Sequence, residues 1–351
     1  MTDALSILKE LISTSGLSGY ESEVREVIQK AWSPLVDELN LSKLGSLHGF
    51  KHGAAIEPRP KILIATHMDA IGLMVTGIEG EFLRISYIGG IDPRILPGQL
   101  VKVHAKEVLP ALVIKPPDHL LPESAAGKPV EIGHLFVDTG LTKQEVAELV
   151  TVGDLVSFAQ EPVELAGDVL VGHSLDNRAS VAALTFCLQE LQTLQHQWDV
   201  WAVASVQEEV TYAGAYTSGY EIRPDLAVII DVTFATGPGT LDYNAFPLES
   251  GPALGWGPVI HPVLFREFKK IAEELEIPHN KDVLPKLSWT DADALQVTAE
   301  GIPSMLISIP LRYMHTPVEM IAFKDITRTG RLLAEFIAKL PSDFLKNLSW
   351  D

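Results

Sequence analysis

The chain is short of cysteine, of basic residues and of long apolar runs, and each shortage excludes something. One cysteine among 351 residues, Cys187, excludes an internal disulfide. It sits in ALTFCLQEL on a helix face expected to be buried, so it reads as a packed thiol rather than a nucleophile. Lys and Arg number 27 against 46 Asp and Glu, for a net charge of −19 and a pI near 4.9. That balance argues against nucleic acid and anionic membrane as partners, and it favours solubility. No uninterrupted apolar run approaches the ~20 residues needed to cross a bilayer. The opening MTDALSILKELIST lacks the basic start and cleavage site of a secretory signal and reads as an amphipathic helix. A cytoplasmic location is the expectation. Internal repeats, low-complexity tracts and coiled-coil heptads are also missing.

What remains is an ordinary globular composition, 46% apolar and 21% charged, long enough for two domains and a large core. Helical spacing of Leu5, Leu8, Leu11 and Ile12 is followed by a second helix through SEVREVIQKAW, and KILIAT (61–66) reads as a strand buried on both faces. From about residue 70 to 160 the texture changes to short, partly alternating segments, FLRISYI, QLVKVHA, ALVIK, HLFVD and DLVSF. Turn signals such as Gly89-Gly90 and Pro97-Gly98 punctuate them. Closely spaced strands of this kind predict a small β-barrel or sandwich. Its one helix, TKQEVAELV, opens on a Thr142/Glu145 capping box. After residue 165 the alternation of helix and strand returns: NRASVAALTFCLQEL, DVWAVASV, LAVIID, PVLFREFKKIAEEL, SMLISI and DITRTGRLLAEFIAKL. The prediction is one α/β domain made of residues 1–69 and 165–351, with a β-rich domain, 70–164, inserted into it.

Five segments place a His or carboxylate at or just beyond an apolar run: THMD (His67, Asp69), SLDNR (Asp176), VASVQEEV (Glu208, Glu209), VIIDVT (Asp231) and RYMHTPVE (His315). In α/β proteins that is where strands deliver active-site groups. Singly, each has a plainer explanation. His67 could be a polar turn residue, Asp176 a helix N-cap and Asp231 the end of a strand. The adjacent pair Glu208-Glu209 is harder to dismiss, because two carboxylates beside an apolar strand repel unless cations or protons relieve them. Taken together, the set suits zinc and its neighbours, which take imidazole nitrogen and carboxylate oxygen. His67, Asp231, Glu209 and His315 supply two ligands for each of two metals, Asp176 can bridge them, and Asp69 can orient His67. Glu208 is left over as a general base for a water activated by two metals, which is equipment for amide hydrolysis.

At this point the chain resembles the dinuclear-metal aminopeptidases that include glutamyl, deblocking and tetrahedral (TET) aminopeptidases. The likeness rests on SGYE, HMDAIGLMV, YIGGIDPRILPGQ, HLFVDTG, SLDNR, QEE, IIDVT, GPVI, TDADA and RYMHTPVEMI, in that order. It implies a three-layer, mixed-sheet catalytic domain of the zinc exopeptidase type and an insert that mediates dimerisation, commonly within a twelve-subunit shell. It makes Asp176 the bridge, pairs His67 with Asp231 and Glu209 with His315, assigns Glu208 as base and Asp69 as orienter of His67, and implies a cis peptide after Asp176. The chain departs from the family at Ala70, at Thr211-Tyr212 and at Ser288-Trp289, which bear on substrate preference; Trp289 is a candidate wall of the specificity pocket. His173 stands where Lys is commoner and is at most a supporting residue.

The sequence thus reads as a metalloaminopeptidase acting on short peptides with two divalent ions, zinc first and cobalt or manganese as alternatives. Two other classes fit parts of it. A glycoside hydrolase of the endoglucanase kind would use the paired carboxylates but leave His67, Asp231 and His315 without a task. A non-catalytic metal-binding scaffold would need none of the base chemistry.

Overall fold

The computed structural model describes residues 4–121, 128–241 and 243–350. Its backbone is a mixed sheet of 11 strands. At the centre lie four parallel strands in the spatial order Asp199–Ser205, Lys61–His67, Leu226–Phe234, Ser304–Arg312. They are the apolar runs KILIATH, DVWAVAS, LAVIIDVTF and SMLISIPLR, buried almost throughout, as strands covered on both faces must be.

Helices cover both faces and complete three layers. Leu175–Glu190 and Phe323–Lys339 pack against each other and the sheet, while Ala213–Ile222 and Asp291–Leu295 pack together on the sheet elsewhere. The approach of Leu175–Glu190 to Phe323–Lys339 is close enough to require glycine: a Cβ at Gly330 would meet the Ala183 carbonyl at 2.5 Å. Phe323–Lys339 turns Ile326, Leu332, Leu333, Phe336 and Ile337 inward at helical spacing. Cys187 is buried on the inner face of Leu175–Glu190, and burial pushes its thiol up, out of the range of a nucleophile. Among the described residues no helix is long and apolar enough to cross a membrane.

The second body is a closed barrel of six strands between Gly72 and Phe158, with its own core around Leu73, Leu83, Val101, Val113, Val137 and Val156. The predicted capping box is present in full: Thr142 accepts from the Glu145 amide, and the Glu145 carboxylate accepts from the Thr142 amide at 2.8 Å. The strand Val163–Leu165 is already back in the large sheet, paired with Val169–Gly172.

Several strands had no clear sequence signal. The hairpin Glu38–Leu41/Leu47–Lys51 extends one side of the sheet, and Ala253–Trp256 with Asn280–Val283 branches from Ser304–Arg312. Each is four or five residues long and carries Gly, Asn, His or Lys in place of β-branched runs.

Candidate metal centre

The central strands all deliver their C-terminal ends to one edge of the sheet, and the chemistry gathers there. His67 is the last residue of its strand, Glu208 and Glu209 follow Ser205 by three and four residues, Asp231 lies in Leu226–Phe234, and His315 follows Arg312 by three. Asp176 comes from the start of Leu175–Glu190. Its backbone is not helical there (φ −80°, ψ 104°), and the helix end carries no side-chain cap, so the carboxylate is not spent on capping. The Asp176-Asn177 peptide is cis. Asn177 donates to the Ile230 carbonyl at 3.0 Å, tying this turn to the strand that bears Asp231.

Asp176 sits between the two histidines. Its Oδ1 lies 3.2 Å from His67 Nε2 and its Oδ2 lies 3.3 Å from His315 Nε2. On the His67 side are Glu208 Oε2 at 3.7 Å and Asp231 Oδ1 at 3.8 Å; on the His315 side is Glu209 Oε2 at 3.4 Å. Donor atoms of His67, Asp176 and Glu209, and likewise of His67, Glu208 and Asp231, all lie within 4.8 Å of one another, close enough for either trio to hold a cation. All seven expected residues therefore meet in one place.

Asp69 plays a wider part than orienting His67. The nearest oxygen to His67 Nδ1 is the Asp69 carbonyl at 3.2 Å, with the carboxylate at 3.6 Å. The carboxylate accepts from the amides of Glu208 (3.0 Å) and Glu209 (3.2 Å), so it also fixes the turn carrying both glutamates. That turn is pinned again by Glu21, which accepts from Gln207 N at 3.2 Å.

Glu319 was not foreseen. It is buried and accepts from the amides of Asp176 (3.0 Å) and His315 (2.9 Å), locking two site residues to one carboxylate. Its signal was the acid four residues after His315 in HTPVE. Beneath the site Arg178 is buried and donates to carbonyls of Leu11, Thr14, Gly16 and Met68, joining the first helix to the floor. Five non-glycine residues around the site, Ser174, Gln207, Tyr212, Trp289 and His315, adopt left-handed backbone (φ between 56° and 64°), the kind of strain that collects at functional sites.

The electrostatics call for positive charge. Burial, with Asp176 adding, pushes both Glu209 and Asp231 up to about 8. Glu208 is raised well above the usual carboxylate range by burial, with Asp231, Asp291 and Glu209 adding. The imidazoles move up too, against the pull of burial: His67 well above its usual value, chiefly through Glu208, and His315 to about 9 through Asp176 and Glu209. Buried carboxylates crowded around two imidazoles repel one another unless protons or cations relieve them, and divalent cations would do so. The donor set and its charge fit a pair of such ions.

The site opens into a cavity of about 900 Å³. Tyr212, Phe234, Leu284, Leu287, Trp289 and Met314 form much of its wall, and Gly90 of the barrel reaches its edge. Asp293 holds the Ser288-Trp289 turn at the rim, accepting from both amides.

Fold and site together define a mixed α/β protein with acidic and histidine groups positioned for metal binding. Residues 45–332 match the M42 glutamyl aminopeptidase family, and the chain belongs to that family. It is similar to the lysyl aminopeptidase of Pyrococcus furiosus, 32% identical over 346 residues that cover 96% of this chain and 98% of that protein. The TET aminopeptidase of the marine sediment archaeon Thaumarchaeota archaeon SCGC AB-539-E09 superimposes with a TM-score of 0.93 at 30% identity, covering 99% of both chains. The TET1 peptidase of Pyrococcus horikoshii, which can assemble into a tetrahedron or a large octahedral shell, superimposes with a TM-score of 0.84 at 29% identity, covering 96% of this chain and all of that one. The protein is a peptide hydrolase of the aminopeptidase type.

Proposed function

We propose that this aminopeptidase removes the N-terminal residue of short peptides with the help of two divalent cations held by the cluster around Asp176. The observation that carries the reading is the pair of Asp176 oxygens, each facing a different imidazole at 3.2 and 3.3 Å. A carboxylate so placed can serve two ions at once. Asp176 would hold both, His67 and Asp231 completing one set and Glu209 and His315 the other. When bound, such ions supply Lewis acidity toward the attacking water and the scissile carbonyl. Zinc suits these donors, as do cobalt and manganese.

The chain's own residues supply the rest. Glu208, poorly solvated and raised in basicity, takes a proton from the water and returns it to the leaving amine nitrogen. Asp69 fixes the backbone of Glu208 and the ring of His67 at the same time. Glu319 holds Asp176 and His315 in register. A glycoside hydrolase would ask nothing of His67 or His315, whose imidazoles lie at the centre of this cluster.

The same reading includes a homodimer formed through residues 70–164. The barrel hairpin Leu100–His104/Val108–Ile114 exposes Leu100, its register partner Leu112, and Val108 on one outward face, an apolar surface that a second copy would cover. A larger, dodecameric assembly is part of the proposal, since the similar peptidase PhTET1-12s forms a dodecamer. A cytoplasmic location suits a chain whose one thiol is buried and unpaired.

Metal analysis of the purified protein tests the centre. Two equivalents per chain are expected, with hydrolysis of aminoacyl substrates abolished by chelator and restored by zinc, cobalt or manganese. Asp176→Ala should lose most of the metal together with activity. Full metal content in that variant sinks the bridging role, and chelator-resistant hydrolysis sinks the metal mechanism.

A further inference from the structure

The family's own names leave the preferred N-terminal side chain open, since the family is called glutamyl and a relative lysyl. The cavity of this chain offers a physical answer. Asp282, on the strand Asn280–Val283, lines the same cavity as His67, Asp176 and Glu208, yet belongs to none of the clusters around them. Only 7% of its surface is exposed. Its one hydrogen-bond partner among the described residues is the Thr233 hydroxyl, which donates to Oδ2 at 3.2 Å. The next residue but one on its own strand, Asn280, is tied to Ser250, and the adjacent Lys281 turns away to lie over Trp256, 4.4 Å from the ring centre. Among the described residues no Lys or Arg lines the cavity. The basic side chains that do, among those residues, are His67 and His315, which face the carboxylates of the centre. A carboxylate buried to this degree without a cation is costly, and burial raises its proton affinity.

Its position relative to the reacting groups is set by the strand. Asp231 and Thr233 lie two residues apart on Leu226–Phe234 and share a face, one pleat repeat or ~7 Å apart. Asp282 hangs on Thr233, so its carboxylate stands about one extended side chain away from the centre. Val283, Leu284, Leu287 and Trp289 line the same cavity, beside the polar Asn244, Ser288 and Thr290. A cavity with apolar wall residues and a lone buried acid apart from the centre matches a side chain with a methylene stem and a terminal cation. It opposes a carboxylate, which would meet Asp282 with like charge in a poorly solvated place.

Building on the aminopeptidase reading, we infer that Asp282 is a specificity residue that selects peptides with N-terminal lysine or arginine and rejects those with N-terminal glutamate. The ammonium or guanidinium docks on the Asp282 carboxylate while the stem lies along the apolar wall residues.

The metal-loaded enzyme is to be assayed with lysyl, arginyl, leucyl and glutamyl p-nitroanilides, alongside Asp282→Asn. Wild-type kcat/KM should be highest for lysyl or arginyl and lowest for glutamyl. The lysyl-to-leucyl ratio should fall roughly 10- to 100-fold in the variant, the loss expected for a buried charge-assisted contact. Calorimetry with free L-lysine and L-leucine gives a readout that needs no turnover, and the same ratio should fall there. Residual leucyl hydrolysis shows that the variant has folded. A wild-type preference for leucyl or glutamyl substrates, or an unchanged ratio in Asp282→Asn, overturns the inference and leaves the aminopeptidase reading standing. Wild-type enzyme that hydrolyses none of the four substrates removes that reading instead, and selective lysine binding would then still support the role of Asp282.

Discussion

Glu208 and Glu209 are neighbours in sequence with different surroundings. Glu209 faces His315 and, with His67 and Asp176, belongs to one possible metal trio; Glu208 faces His67 and belongs to the other, with His67 and Asp231. If Glu208 is the base, Glu208→Gln keeps shape and metal but cannot accept a proton, so turnover should fall roughly 10²–10⁴-fold at unchanged metal content. Loss of one equivalent of metal in that variant would make Glu208 a ligand. His173, a few residues before Asp176, has no such task. It is buried, its Nδ1 has no partner, and it stands edge-on to Phe158. Burial, with the positive charge of Arg178, holds it down at about 3. The folded chain therefore refuses a proton that the unfolded chain accepts near pH 6.5. Its contribution is intact above that pH and is lost as pH falls toward 3, at up to ~1.4 kcal/mol per pH unit. Denaturant titrations from pH 7 to pH 4 should show a shallower acid decline for His173→Gln than for wild type; parallel curves would show that His173 contributes nothing to it.

Among the elements, the barrel does more than hang on the hydrolase. Its YIGGI loop reaches the centre: a Cβ on Gly90 would sit 3.1 Å from His315 Nδ1, and one on Gly89, whose φ is +76°, would meet Ile71 at 2.7 Å. Gly90→Ala should displace His315 and lower kcat, with the barrel and overall stability little changed. Wild-type kcat in that variant would show that His315 has room to give. This dependence was invisible in the sequence, where Gly89-Gly90 reads only as a turn signal. The strands that carry the site were legible because KILIATH, LAVIIDVTF and SMLISIPLR are nearly unbroken apolar runs, and only a sheet covered on both faces buries such runs. The capping box of the barrel helix was legible because it is local. Asn280–Val283 was not, since NKDV has no strand signature and becomes one only through its neighbour Ala253–Trp256; with it Asp282 went unread. Glu319 and Glu21 were missed for the same reason. Each accepts from one amide nearby and one far away in sequence, Asp176 for Glu319 and Gln207 for Glu21, and no spacing rule encodes the distant partner.

At the scale of the molecule, the outward face of the barrel hairpin and the charge of −19 pull in opposite directions. Leu100, Val108 and Leu112 favour association, while a strongly acidic chain repels its copies. Burial of an apolar face is insensitive to salt and the repulsion is screened by it. Light scattering at micromolar concentration should give a dimer or a multiple of it, strengthened rather than weakened by raising ionic strength from 0.01 to 0.15 M. A monomer at both salts rules out the barrel interface, and Leu100→Glu should weaken a real one.

The order of the site residues along the chain has a kinetic meaning. His67 precedes the barrel, Asp176 follows it, and His315 arrives only with the last strand of the parallel set. No single hairpin or helix pair contains more than a fragment of the centre, so its contacts belong to the slow, non-local class of chain closures. A nascent or partly opened molecule therefore has no peptidase to release. Activity is expected only once the whole sheet is complete, and is expected to vanish with its first cooperative loss.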